Sequence, residues 1–254
     1  MAHLSRIIEF LDTLLEPHTY ADGSYNGLQV DAGVTEIMRV AGAVDSGASI
    51  IEKAVEHDAD LLLVHHGLYW GSSPHVTNGM HGMKVRTLMQ HHCNLYTSHL
   101  PLDGNLEAGN ATEILRLLGV SNVHAFATEG HMTLGARGEL PHPMTIAEIT
   151  EALSHVEGYG PEVILPFGAQ TIQSIGVCTG AGGFAMHEAR RLNLDLFISG
   201  EPKHQQYHEA KEIGQSALFI GHYASETFGV KALLKLLEST FGIRTIWISE
   251  PTGI

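Results

Sequence analysis

An α/β fold built from two related halves is predicted by three features of the sequence. Short apolar runs that read as strands alternate with stretches of helical periodicity. The pattern restarts near residue 174, where SIGVCTGAGG stands as RVAGAVDSGA stood earlier and LDLFISGEP parallels ADLLLVHHG. Each half also places a His, then an acid four residues on, just after a strand: SHLPLD in the first half, GHYASE in the second. The halves are drawn as residues 1–122 and 174–254, joined by a short middle segment, 123–173.

Apolar residues at 4, 7, 8, 11, 14 and 15 make one face of a helix, which Pro17 stops. Residues 20–30 (YADGSYNGLQV) form a turn-rich loop feeding a short strand. A strand over 38–44 is followed by the turn Asp45-Ser46-Gly47 and a helix over 48–57. Asp60 then precedes a buried strand that ends in His65-His66-Gly67. A loop rich in Gly, Ser and Pro over 68–77 holds Tyr69 and Trp70, which suit either packing or stacking on a planar substrate. A helix over about 82–91, a strand over 94–97 and a helix over 110–118 complete the first half. The middle shows one strand (132–137) and one helix (145–155), and no recognisable chemistry. In the second half a helix over about 205–213 leads to a strand over 217–220 and a helix running to about 237.

The formal charge of −14 repels phosphate backbones and anionic membranes, and no basic run offsets it. Neither nucleic-acid backbone binding nor membrane association is expected. Cys93 and Cys178 stand far apart and in no CxxC pattern, so a thiolate zinc site and a disulfide framework are both excluded. A reducing cytoplasm is the expected compartment, since the N-terminus lacks a signal pattern and no apolar run approaches membrane-spanning length.

Among 18 histidines, the informative ones stand at strand exits. Successive side chains on a strand point to opposite faces, so His65 and His66 reach one site only if the chain bends, which Gly67 permits. Carboxyl ends of strands in open α/β sheets are where ligand crevices form, and neutral imidazole is the commonest side-chain metal ligand. His222 and Glu226 lie one helical turn apart, a spacing for two ligands or for a cap and a first-turn acid. Asp103 is a ligand or an ordinary Asp-Gly turn residue. Taken together, three imidazoles and two carboxylates at strand exits suit Zn, Mn, Fe or Ni. His99 mirrors His222 and is expected behind the ligands or facing substrate, as a catalytic proton carrier. Gly180-Ala-Gly182-Gly183 resembles a phosphate-cradling turn but lacks a P-loop Lys, so structural glycine is favoured.

The strand ending in His65-His66-Gly67, SHLPLD ending in Asp103 and GHYASE ending in Glu226 resemble the NIF-three-like family, whose bacterial members are often named GTP cyclohydrolase 1 type 2 homologues. Asn26-Gly27-Leu28-Gln29-Val30 is similar to its N-terminal DNxGLxxG signature, with Tyr25 before the Asn and Asp31 at the glycine position. The resemblance spans nearly the whole chain. It implies two related halves with a dinuclear metal site between them, held by His65, His66, Asp103, His222 and Glu226, one carboxylate bridging. It also implies a ring-shaped homohexamer. The short middle segment resembles the compact form, without the family's large inserted domain.

Whether the chain is an enzyme stays open at this point. The first expectation is a hydrolase using two divalent metal ions per chain on a small-molecule substrate, with a nucleotide and GTP cyclohydrolase-like ring opening foremost. Phosphoester or amide hydrolysis would use the same apparatus. The others are a non-catalytic metal-binding regulatory or interaction protein, and a metal store.

Overall fold

The computed structural model describes residues 1–71, 77–160 and 162–253. Residues 72–76 of the loop predicted over 68–77 lie outside the described residues. In chain order the elements are β1 Ala2–His3, α1 Leu4–Leu15, β2 Gly27–Val30, β3 Glu36–Ile37, β4 Arg39–Asp45, α2 Ala48–Glu56, β5 Leu61–His66, α3 Gly79–Gln90, β6 Asn94–Thr97, α4 Leu100–Asp103 and α5 Asn110–Leu117. They continue with β7 His124–Glu129, β8 Met132–Thr145, α6 Ile146–Leu153, β9 Val163–Pro166, β10 Thr171–Cys178, α7 Met186–Arg191, β11 Leu196–Ser199, α8 Gln206–Ile213, β12 Ser216–Phe219, α9 His222–Phe241 and β13 Arg244–Trp247. The chain is mixed α/β. Among the described residues no helix is long and apolar enough to cross a membrane.

Two compact units result: Met1–Leu102 with Val230–Glu250, and Asp103–Gly229 with the tail from Pro251. The sequence places its boundaries at 122 and 173 instead. Non-local pairing accounts for the difference, because β13 returns to pair in parallel with β4.

The sheet of the first unit has the order β13-β4-β5-β6-β2. β4, β5 and β6 run parallel, and β2 lies antiparallel to β6. Parallel strands are covered on both faces, which is why Leu61, Leu62, Leu63 and Val64 form an unbroken apolar run, all fully buried. α1 buries Leu4, Ile7, Leu11 and Leu15, the stripe that its periodicity predicts. It ends with Glu16 in the left-handed region at φ 46°, just before Pro17. Gly42 of β4 has no room for a side chain, since a Cβ would stand 2.7 Å from Leu234 of α9.

The second unit's sheet has the order β7-β8-β10-β11-β12-β9, with β10, β11 and β12 parallel and β8 and β9 antiparallel beside them. The middle segment thus supplies β7, β8, α6 and β9 to this unit. β8 runs on well past residue 137. Pro141 and Pro143 fall where its register with β10 slips between Ile172 and Ser174, a stretch that needs no ladder N–H from them. Local reading stops at those prolines; the sheet does not.

One motif recurs in both units. Asp60, just before β5, accepts hydrogen bonds on Oδ2 from the backbone N–H groups of Met38 (2.7 Å) and Arg39 (2.9 Å) at the start of β4. Asp195, just before β11, does the same for Gln173 and Ser174 of β10, at 2.9 Å each. A carboxylate that ties the start of one parallel strand to the start of the next fixes register where the ladder begins. Replacing either Asp by Ala removes at least two charge-assisted bonds, so each variant should lose roughly 2 kcal/mol or more of stability. Urea unfolding of Asp60→Ala and Asp195→Ala measures this, and midpoints unchanged from wild type would refute the register role.

Candidate metal centre

In the first unit the donors stand at the carboxyl ends of β5 and β6. His65 is fully buried, and its Nδ1 lies 2.9 Å from the carbonyl of Ser98. A carbonyl only accepts, so Nδ1 carries the proton and the neutral ring keeps its lone pair on Nε2. His66 Nδ1 lies 2.8 Å from Oδ1 of Asp45, its register partner at the end of β4. Despite strand alternation the two rings converge, with centroids 4.7 Å apart. Gly67 serves this by close approach. A Cβ there would stand 2.3 Å from Thr97 Oγ1 and 2.5 Å from the Gln29 amide.

His99 joins the pair, its ring 5.1 Å from His65 and 5.6 Å from His66. His65, His66 and His99 each offer a nitrogen, all within 4.8 Å of one another, an arrangement that could hold a metal ion. His99 Nδ1 lies 2.9 Å from Asp22 Oδ1, and its backbone N–H donates to Asn26 Oδ1 at 2.7 Å. Burial alone would raise the Asp22 carboxyl. The bond and charge of His99, then Asn26 and Ser24, outweigh it and lower the pKa to about 2. Gln29 completes this clamp by accepting the N–H groups of Leu68 (2.7 Å) and Tyr69 (3.2 Å). The NGLQV stretch thus secures both strand exits.

In the second unit the donors come from the start of α9 and from Asp103. His222 Nε2 and Glu226 Oε1 lie 3.1 Å apart, the one-turn geometry that the spacing predicts. The other ring nitrogen, Nδ1, lies 3.2 Å from Glu201 Oε1. Burial would lower the His222 pKa, but Glu226 and then Glu201 outweigh it and raise the value to about 9. Asp103 Oδ1 accepts from Thr179 Oγ1 and from Asn110 Nδ2, at 2.9 Å each. Oxygens of Asp103 and Glu226 lie within 4.8 Å of each other. Gly180, with φ 56°, faces these acids, and a Cβ there would meet Glu226 Oε1 at 2.2 Å. The glycine turn therefore packs on a carboxylate, which is no place for a phosphate.

Sequence reasoning missed Asp22, Asp45, Asn110, Thr179 and Glu201. Asp45 and Glu201 carried the same signal as the residues it found, an acid at a strand exit. The roles of Asp22 and Asn110 rest on contacts that no local pattern announces. The two thiols add nothing to the site, for both are buried, and burial pushes Cys93 up to about 12 and raises Cys178 well above the usual thiol range.

Comparison with known proteins gives the family and the fold. The family model described as Duf34/NIF3 (NGG1p interacting factor 3) matches residues 2–252. A relative from Archaeoglobus fulgidus is 37% identical over 252 residues, covering 99% of this chain and 100% of its own. One from Pyrococcus abyssi is 40% identical, covering 98% of each. Both are named GTP cyclohydrolase 1 type 2 homolog. The crystal structure of TTHA1606 from Thermus thermophilus matches with a TM-score of 0.89 at 34% identity, over 99% of this chain and 100% of that one. Reduced HcgD from Methanocaldococcus jannaschii shares the fold, with a TM-score of 0.81 at 23% identity over 98% of each chain.

Asn110 is fully buried and spans from Asp103 to α9, where its Oδ1 accepts the Gly229 N–H at 2.6 Å. Asn110→Asp keeps the shape but sets a second carboxylate against Asp103. That variant should stay folded by circular dichroism and bind cobalt(II) at least about tenfold more weakly, the usual scale for losing a residue that orients a ligand. Cobalt titration that matches wild type would remove Asn110 from the site.

Proposed function

This chain belongs to the Duf34/NIF3 family, and we propose that it is a dinuclear metal-dependent hydrolase. In this reading His65, His66, Asp103, His222 and Glu226 hold two divalent cations per chain, drawn from Zn, Mn, Fe and Ni. One observation carries it. His65, His66, His99 and His222 each have Nδ1 within hydrogen-bonding distance of a carbonyl or carboxylate: Ser98, Asp45, Asp22 and Glu201. That partnering orients each ring, as it does in metal-ligating histidines. The donor set is nitrogen and oxygen without thiolate, which fits these cations.

Cations bound there would supply a water of lowered pKa and would neutralise charge developing on the substrate. The chain does the rest. Asp103, held through Oδ1 by Thr179 and Asn110, presents its carboxylate in a fixed direction. His99, steered by Asp22, is placed to move a proton at Nε2. The name of the relatives supports a GTP cyclohydrolase-like reaction, in which water adds at C8 of the purine, the ring opens to a formamide, and a second water releases formate. Phosphoester or amide hydrolysis is the nearest alternative for the same residues. The words "interacting factor" in the family description favour a second reading, a non-catalytic regulatory partner.

The shared Asp60 and Asp195 motif supports two related halves as the source of the paired donor sets. The family resemblance supports a cytoplasmic homohexameric ring. Sedimentation of the purified protein should give the hexamer, and a monomer at micromolar concentration would contradict the ring.

Elemental analysis of gently purified protein should approach two metals per chain. His65→Ala combined with Glu226→Ala should abolish binding, and metal content unchanged in that variant would sink the ligand assignment. Turnover is then compared across a panel of nucleotides, phosphoesters and amides. Asp103→Asn should lose far more in kcat than in substrate affinity, while His99→Ala should lose roughly 10- to 100-fold. Equal residual rates in wild type and both variants would remove the enzyme reading and leave the regulatory one.

A further inference from the structure

We propose that Trp70 is a stacking platform, and that the first unit's imidazole cluster takes a planar heteroaromatic ring of the nucleobase kind. This rests on reading the cluster as a working site. Three observations single out Trp70. The first is placement: its ring centroid lies 4.9 Å from that of His99, at 69°, and 6.0 Å from that of His66. The second is rigidity. The indole Nε1–H donates to the Gly67 carbonyl at 2.9 Å, and the backbone of Trp70 forms an antiparallel bridge with Ser24. On either side of that bridge Tyr25 N–H donates to the Tyr69 carbonyl (3.1 Å) and Gly71 N–H to the Gly23 carbonyl (2.5 Å). The third is exposure, for the residue is still 40% accessible.

Each observation alone is ordinary, since single exposed apolar residues are common. Together they describe a large π surface, held in place by backbone and side chain, beside the groups proposed to do chemistry. Holding the ring in advance removes much of the ordering cost that a ligand would otherwise meet. The surroundings favour an uncharged ring over an anion. The nearest charged partners of the cluster are the carboxylates of Asp22 and Asp45, which hold His99 and His66. Stacking on an indole needs only a flat π face and tolerates any base.

The test uses the full chain, which has two tryptophans, Trp70 and Trp247. In Trp247→Phe the emission reports Trp70 alone. Inosine is titrated as the ring probe and ribose 5-phosphate as the ringless control, with protein both cobalt-loaded and treated with chelator. Saturable quenching by inosine and none by the control is expected. Saturation-transfer NMR should show Trp70→Phe binding inosine within a few-fold of wild type and Trp70→Leu roughly tenfold or more weaker, the scale of one stacked base. Thermal melts establish that both variants are folded. Should Trp70→Leu not fold, the Trp247→Phe titration decides. Linear or absent quenching overturns the proposal, as does equal binding by folded Trp70→Leu, or quenching by ribose 5-phosphate alone. Quenching that persists in a protein unable to bind cobalt leaves the stacking inference standing while the hydrolase reading falls. Cobalt binding without inosine quenching does the reverse.

Discussion

Asp22 is a buried carboxylate, its side chain only 3% exposed, and it gathers donors from three directions. Ser24 N–H and the Asn26 amide reach it from its own loop, Leu100 N–H from the start of α4, and His99 from the exit of β6. Taking a charge out of water is costly, and those bonds are what keep it ionised down to about pH 2. The gain is positional. Loops leaving a sheet are ordinarily mobile, but this one is tied to β2 through Asp22, Asn26 and Gln29, so the ring of His99 is held beside those of His65 and His66. The geometry of the first unit's donors depends on that clamp.

Elsewhere the same economy of means recurs. Parallel strands bring the exits of β4, β5 and β6 to one edge, and those of β10, β11 and β12 to another. Polar groups can gather there because the backbone ladder has ended. Glycines then make space where side chains would collide: Gly67 beneath Gln29 and Thr97, Gly180 against Glu226. Acids just before strands set the register at the opposite ends, through Asp60 and Asp195. Each unit is thus tied by carboxylates at both ends of its parallel strands.

Family membership and site chemistry carry different parts of the functional argument. Sequence identity of 37% to 40% over nearly the whole chain settles kinship but not a reaction, because function lives in sites rather than in folds. The chemistry comes from the partners of the imidazoles. A histidine with Nδ1 committed to a carbonyl, as His65 has, can offer only Nε2 to a cation or a proton.

What the sequence determined by itself was local. An unbroken apolar run marked β5, polar residues at its exit marked candidate donors, and a four-residue gap put His222 and Glu226 on one face of α9, because strand and helix periods act within a few residues. Tertiary structure decided whatever joins distant segments. Asp22 meets His99 across 77 positions and Asp45 meets His66 across 21. β13 returns to β4, and β8 continues through its prolines because β7 and β10 pair with it. His99 was expected behind the ligands or facing substrate, and the fold sets its ring 5.1 Å from that of His65 and 5.6 Å from that of His66. Such pairings leave no periodic trace. A carboxylate in a turn-rich loop reads as a turn residue until the strand exit it clamps has folded against it.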